Sequence, residues 1–216
     1  MRRGIIDRRV VLQEQALREI RNTGAFVDST HVVLASGLHS DTYVNKAMLF
    51  ARPRIGSALG KLLATLLPRQ ITQVIGCPAV GAISLTNWVG YHMMTLDHAP
   101  VVVTFADKIG ERKFQFGRGF DMLMRGREVL IIEDIVTTGG SLKAAITAAR
   151  AVGARVTCAA VLWNRGDVTA EQLGVTTLYS LISMSLQAWP VENCQLCRGG
   201  VPLNTTLSKG IQQVPK

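Results

Sequence analysis

The chain has 216 residues, 48% hydrophobic and 18% charged, which is enough apolar material for one sizeable core and a single domain over 1–216. No run reaches the ~18 consecutive apolar residues of a membrane span, and the basic start "MRRGIIDRRVVLQEQALREI" lacks the apolar block of a secretory signal, so the expectation is a cytoplasmic chain without a membrane partner. A net charge of +9 attracts anions, but the cations are scattered and not interleaved with aromatics, which favours phosphorylated metabolites over nucleic acid.

Apolar positions Val11, Leu12, Ala16, Leu17 and Ile20 predict an amphipathic helix over Arg8–Arg21, stopped by "NTG". "AFVDSTHVVLASG" reads as extended structure ending at Gly37, and "HSDTYVNKAMLF" as a turn followed by a strand. A helix over 54–67 is stopped by Pro68, and "TQVIG" is a short buried strand. "CPAVGAISLTNWVGYHM" is a loop running into a helix, and "PVVVTFA" a strand. The polar, glycine-containing "DKIGERKFQFGRGFD" follows. "EVLIIED" is the next strand, "SLKAAITAARAVGA" a helix closed by Gly153, and "RVTCAAVLWN" and "VTTLYSLI" are the last strands. From Leu203 onward the tail is polar and expected to be loose.

Short apolar strands alternating with helices predict an α/β chain with a central, mainly parallel sheet covered by helices on both faces. In such sheets ligands bind beyond the carboxyl ends of the strands. The segment "VLIIEDIVTTGGSL" (129–142) sits at such an end. There, the unpaired N–H groups of a helix start favour an anion, glycines permit close approach, and Thr137, Thr138 and Ser141 add hydroxyls. This is a cradle for a phosphate monoester. It is neither a GxxxxGK[ST] loop nor a GxGxxG fingerprint. Glu133 and Asp134 stand just before it, and carboxylates accept hydrogen bonds from neighbouring sugar hydroxyls. Together the parts match a ribose 5-phosphate.

That segment resembles the phosphoribosyl-diphosphate (PRPP) signature of type I phosphoribosyltransferases. "SGLHSDTYVNKAMLF" (36–50), "GCPAVGAISL" (76–85), "FADKIGERKFQFGRGF" (105–120), "WNRG" (163–166) and "CQLCRGGVPLN" are similar, in the same order, to segments of orotate phosphoribosyltransferases. The resemblance implies that Glu133 and Asp134 hold the ribose hydroxyls and that Ile135, Val136, Thr137, Thr138, Gly139, Gly140 and Ser141 bind the 5-phosphate. It assigns the diphosphate to Pro78, Ala79, Val80 and Gly81, and the base to Ser36, Gly37, Tyr43, Lys46, Thr137 and Arg165. Lys108, Arg112 and Lys113, on a mobile basic loop, join Asp134 as catalytic groups. Mg²⁺ is expected to arrive on PRPP rather than on a protein ligand set. A homodimer is implied, and a small hood over the site is expected from about 1–50 and 185–205.

The sequence departs from the family pattern. Ala35 and Val80 stand where many orotate enzymes carry lysines, and "ERKFQFG" replaces a Lys-x-His-Gly. Lys46 is a candidate replacement cation, although a strand lysine ordinarily faces solvent. The departures leave open another acceptor base, or a weakly catalytic PRPP-binding regulator. Cys194 and Cys197 form a lone CxxC, short of a zinc site unless a second chain supplies ligands, and read as a reduced pair. His31, His39, His92 and His98 show no metal-binding spacing; His39 reads as pocket lining and the others as structural.

Overall fold

A computed structural model describes residues 7–34, 36–69, 71–111 and 113–207. Helix α1 (Arg8–Arg21) is capped by Asp7, whose carboxylate accepts from the Arg9 N–H. The short strands β1 (Phe26–Val27), β2 (Val32–Val33), β3 (His39–Ser40) and β4 (Tyr43–Val44) follow. Antiparallel pairing joins β1 to β4 and β2 to β3. Residues 46–50, expected to be extended, instead form helix α2 (Lys46–Phe50). The Asn45 side chain accepts from the Met48 N–H and starts that turn, a local capping bond that overrides the apolar run.

Next come α3 (Pro53–Leu66), β5 (Val74–Pro78), α4 (Ile83–Asp97), β6 (Val102–Gly110), β7 (Lys113–Gln115) and α5 (Phe120–Met124). The chain continues through β8 (Leu130–Val136), α6 (Gly140–Ala151), β9 (Cys158–Asn164), α7 (Ala170–Leu173), β10 (Thr177–Ser183) and α8 (Gln195–Arg198). One six-stranded sheet has the order β10-β9-β8-β5-β6-β7. All its pairings are parallel except β6 with β7, an antiparallel ribbon built from the segment expected to be a loop.

Strand β8 is buried on both faces, and its side chains alternate between two cores. Leu130 and Ile132 pack with Leu12, Leu59, Leu63 and Val89 of α1, α3 and α4. Ile131 packs with Leu142, Ala145 and Ile146 of α6. After β5 the chain moves outward through β6 and β7, then returns to the other side of β5 to lay down β8, β9 and β10. The order therefore reverses between β5 and β8, and the crevice at their carboxyl ends is the natural ligand position. The β1–β4 segment reaches that edge. Backbone pairing of His39 with Trp189 at 2.8 Å ties the C-terminal segment to it. The tail is held further than its polarity suggested: the Asn204 N–H donates to the His31 carbonyl at 2.7 Å.

Candidate active site

The crevice gathers three elements. Glu133 and Asp134, both buried, stand in the carboxyl-terminal half of β8, and the chain that leaves β5 at 78–81 lies beside them. From α2, the Lys46 Nζ lies 2.8 Å from Asp134 Oδ1; the Asp134 side chain is fully buried and that of Lys46 is 44% exposed. The other carboxylate oxygen, Asp134 Oδ2, is buried without a hydrogen-bond partner among the described residues. It faces Gly81, where an added Cβ would stand 2.5 Å from Oδ2 and 3.0 Å from Lys46 Nζ. Only glycine fits this approach.

Burial pulls the Lys46 ammonium down, but the charge and hydrogen bond of Asp134 outweigh it and leave the group raised. Burial pushes the Glu133 carboxyl well above the usual carboxylate range, and the adjacent Asp134 charge pushes it further. The two acids are thus inequivalent: Asp134 has a cation in contact, and Glu133 is biased toward its neutral form.

The turn after β8 opens α6 without a side-chain cap; Gly139 adopts φ +75° at the N-cap. Free N–H groups and the helix dipole therefore point to the crevice. Thr138 and Ser141 are exposed, and the hydroxyls of Thr137, Thr138 and Ser141 have no hydrogen-bond partner among the described residues. Gly166 backs the turn so closely that a Cβ there would fall 1.8 Å from the Thr137 carbonyl oxygen. Beside it, the Arg165 N–H donates to the Val136 carbonyl at 3.0 Å, fixing the β9 exit against the cradle.

The Arg165 side chain is 4% exposed. Its Nη2 donates to Ser40 Oγ at 3.0 Å, and Ser40 Oγ donates to the Gln187 carbonyl. Nε is buried and unpartnered, and no carboxylate lies within ion-pair distance of this guanidinium among the described residues. Burial lowers its pKa from the ordinary value, partly offset by Asp41. A buried cation with a spare donor is a receptor for an anion.

A family model described as "Phosphoribosyl transferase domain" matches residues 51–193. The chain belongs to the phosphoribosyltransferase family. It is 32% identical over 194 residues to the orotate phosphoribosyltransferase of Thermotoga maritima, covering 89% of this chain and 97% of that one. It is 33% identical over 192 residues to that of Heliobacterium modesticaldum, covering 88% and 95%. The fold is similar to that of the Mycobacterium tuberculosis orotate phosphoribosyltransferase crystallised with inorganic phosphate: TM-score 0.60, 24% identity, 81% of this chain and 95% of that one. The six-stranded sheet is that of the type I fold, as expected from the sequence.

Set against the positions singled out from the sequence, the crevice brings together Lys46, the 78–81 loop, Asp134, the Thr137–Ser141 turn and Arg165. Half-buried Tyr43 lies close enough to Lys46 to act on its charge. Ser36 and Gly37 sit on an exposed turn, and Ser40 rather than Ser36 holds Arg165. Lys46 is not a solvent-facing strand residue, as its position had suggested; α2 aims it at Asp134. Val80 is 81% exposed at the crevice mouth. Lys108 and Lys113 are exposed on the β6–β7 ribbon, with no bond to Glu133 or Asp134. Arg112, like Ala35, lies outside the described residues. Arg118 is engaged by Asp107 at 2.9 Å.

The histidines require a correction. His31 and His39 converge with Cys194 and Cys197, their nitrogen and sulfur atoms all within 4.8 Å of one another. Residues far apart in sequence are joined by the β2–β3 pairing and by the docking of α8 on it, which no local spacing could reveal.

Proposed function

We propose that this chain transfers the phosphoribosyl group of PRPP to orotate, giving orotidine 5-phosphate and diphosphate. The relatives named above carry that activity in their names. One observation carries the choice of acceptor: at the carboxyl edge of the sheet Arg165 is a buried guanidinium with an unpartnered Nε and no carboxylate of its own among the described residues. A planar carboxylated heterocycle would satisfy that fork.

In this reading Glu133 and Asp134 accept from the ribose hydroxyls, and the backbone and hydroxyls of 135–141 hold the 5-phosphate. Pro78, Ala79, Val80 and Gly81 receive the diphosphate. Ser36, Gly37, Tyr43, Lys46, Thr137 and Arg165 face the base. A deprotonated ring nitrogen of orotate bonds the anomeric carbon from the face opposite the diphosphate. The carbon–oxygen bond breaks, and its electron pair leaves on diphosphate. Lys108, Arg112 and Lys113 neutralise that growing charge when the glycine-containing ribbon closes, excluding the water that would hydrolyse PRPP.

The donor set suits a metal brought by its substrate. Asp134 is already engaged by Lys46, and Glu133 is held toward neutrality, so the pair is no open oxygen cage. Mg²⁺ chelated by PRPP oxygens would supply charge compensation on the diphosphate. No described helix is long and apolar enough to cross a membrane. The reading takes the chain as one cytoplasmic domain, with residues 1–50 and 185–205 as the hood and a homodimer as the assembly.

The test follows orotate loss by its ultraviolet absorbance with PRPP and Mg²⁺. Loss that vanishes in Asp134→Asn is expected. Arg165→Gln should lower kcat/KM for orotate by about 30-fold, roughly 2 kcal/mol, while PRPP affinity holds within about threefold. Tight PRPP binding without orotate turnover would overturn the acceptor. It would favour the second reading, another base or a PRPP-binding regulator, which rests on exposed Val80 at the position where a lysine was expected.

A further inference from the structure

Next to Ser40 in sequence, His39 belongs to a cluster of histidine and cysteine side chains that the proposed reaction does not use. His31 Nε2 lies 2.9 Å from His39 Nδ1, 3.5 Å from Cys194 Sγ and 3.6 Å from Cys197 Sγ. Cys197 Sγ lies 3.3 Å from His39 Nδ1. Around a tetrahedral zinc, bonds of about 2.3 Å to sulfur and 2.0–2.1 Å to nitrogen set the ligand–ligand edges at roughly 3.3–3.8 Å. The three sulfur–nitrogen separations fall in or near this range, and the two nitrogens need to part by only a few tenths of an ångström. We propose that His31, His39, Cys194 and Cys197 form a structural zinc site within a single chain.

The surroundings support it. The other ring nitrogen of His31, Nδ1, faces the Val201 carbonyl at 2.7 Å. An Nδ1–H donating there leaves Nε2 with its lone pair toward the cluster, the outer hydrogen bond typical of a metal-bound histidine. The Cys197 N–H donates to Cys194 Sγ at 3.4 Å, a bond that suits a thiolate. Cys194, His31 and His39 are buried, while Cys197 is exposed and offers a way in for the ion. Two thiolates and two neutral imidazoles are a complete donor set with no open position, so the site is structural rather than catalytic.

The four ligands come from two places. His31 and His39 belong to the β2–β3 segment, and Cys194 and Cys197 to the start of α8. Zinc would cross-link them, and the clamp abuts Ser40, the neighbour of His39 that holds Arg165. Its function is to fix the C-terminal segment against the edge that presents Arg165. This inference does not depend on which base is the acceptor.

The 216-residue chain would be purified in reducing buffer without chelator and analysed for metals by plasma mass spectrometry. About one zinc per chain is expected. Cobalt exchanged into the site should show the intense visible bands of a tetrahedral ion and a thiolate-to-cobalt charge-transfer band. Cys197→Ser and His39→Ala should each lose both signals, while Cys158→Ser, in β9 away from the cluster, keeps them. Stripping the zinc should lower the Tm by about 5–10 °C and expose the 185–201 segment to protease. Four results would overturn the proposal: no stoichiometric metal and no tetrahedral cobalt spectrum, a stoichiometric metal other than zinc, zinc retained by Cys197→Ser and His39→Ala alike, or a Cys194–Cys197 disulfide persisting in reducing buffer.

Discussion

Replacing Lys46 by methionine tests the electrostatic centre of the crevice. The change keeps most of the apolar stem, shortens the side chain by one atom and removes its charge and its hydrogen bond to Asp134, leaving Asp134 fully buried with Oδ2 already unpartnered. Stranding a charge from a fully buried pair costs about 3–5 kcal/mol, and losing an exposed pair about 0.2–1 kcal/mol. Lys46 is 44% exposed and Asp134 not at all, so the case falls between these limits, at about 2–3 kcal/mol. For a chain of this size that lowers the Tm by about 4–12 °C. The sign with pH follows from the raised lysine. Its contribution is complete below the ordinary lysine value and fades only as pH rises through the raised one, so the deficit should be constant between neutral pH and mild alkali. The assay is urea or thermal unfolding of the ligand-free protein in a double-mutant cycle with Asp134→Asn. In the Asp134→Asn background the same Lys46→Met change should cost under about 0.5 kcal/mol. Equal costs in both backgrounds, or a Tm shift below about 1 °C in the native one, would refute the pairing as an energetic feature.

Glu133→Gln should act in the opposite direction on stability. A carboxyl raised in the fold contributes stability fully at pH below its unfolded value of about 4.3 and loses it as pH climbs through the folded value. At pH 8 the variant should therefore unfold at higher temperature than the native chain while binding PRPP more weakly; a lower Tm would contradict the assignment. Because ribose hydroxyls favour the ionised acid, PRPP binding to the native chain should release protons, seen by calorimetry as a heat that varies with the buffer's ionisation enthalpy. Gly81→Ala places a methyl 2.5 Å from Asp134 Oδ2. It should destabilise the protein by about 1–3 kcal/mol, and PRPP affinity should fall at least as far as in Asp134→Asn; unchanged binding would show that the loop yields.

The sheet and its two faces were legible because each strand is a short apolar run and each helix carries a stripe. The strand, turn and helix of the proposed cradle were legible because they are consecutive: buried strand, Glu133, Asp134, the Thr-Thr-Gly-Gly turn, helix. What escaped depends on contacts distant in sequence or on one capping bond. The helical turn at Lys46 hinges on the Asn45 side chain, and only that turn aims the ammonium at a residue 88 positions away. The β6–β7 ribbon reads as a loop because its polar residues lie on an exposed extension of the sheet, where apolar alternation has no core to serve. Ser40 gained its role from Arg165, 125 positions on, and the His–Cys cluster from the fold of both chain ends onto one another.

The charges left in the crevice argue for how the two substrates are met. Asp134, wholly buried, is held by Lys46, so the proposed ribose side of the site is internally neutralised before any ligand arrives. Arg165 is buried with a free donor and no such partner among the described residues, so the proposed base side carries an unbalanced positive charge. A ligand on the ribose side must displace or share Lys46, converting the Asp134 contact into hydrogen bonds from hydroxyls and freeing the ammonium for an incoming anion. A carboxylate on the base side displaces nothing and fills an existing deficit. Binding on the first side therefore rearranges protein charge, and binding on the second relieves it. The Lys46→Met variant should separate the two: it should alter the affinity for PRPP and its salt dependence, and, although Lys46 also borders the base, lower the affinity for orotate far less than Arg165→Gln does.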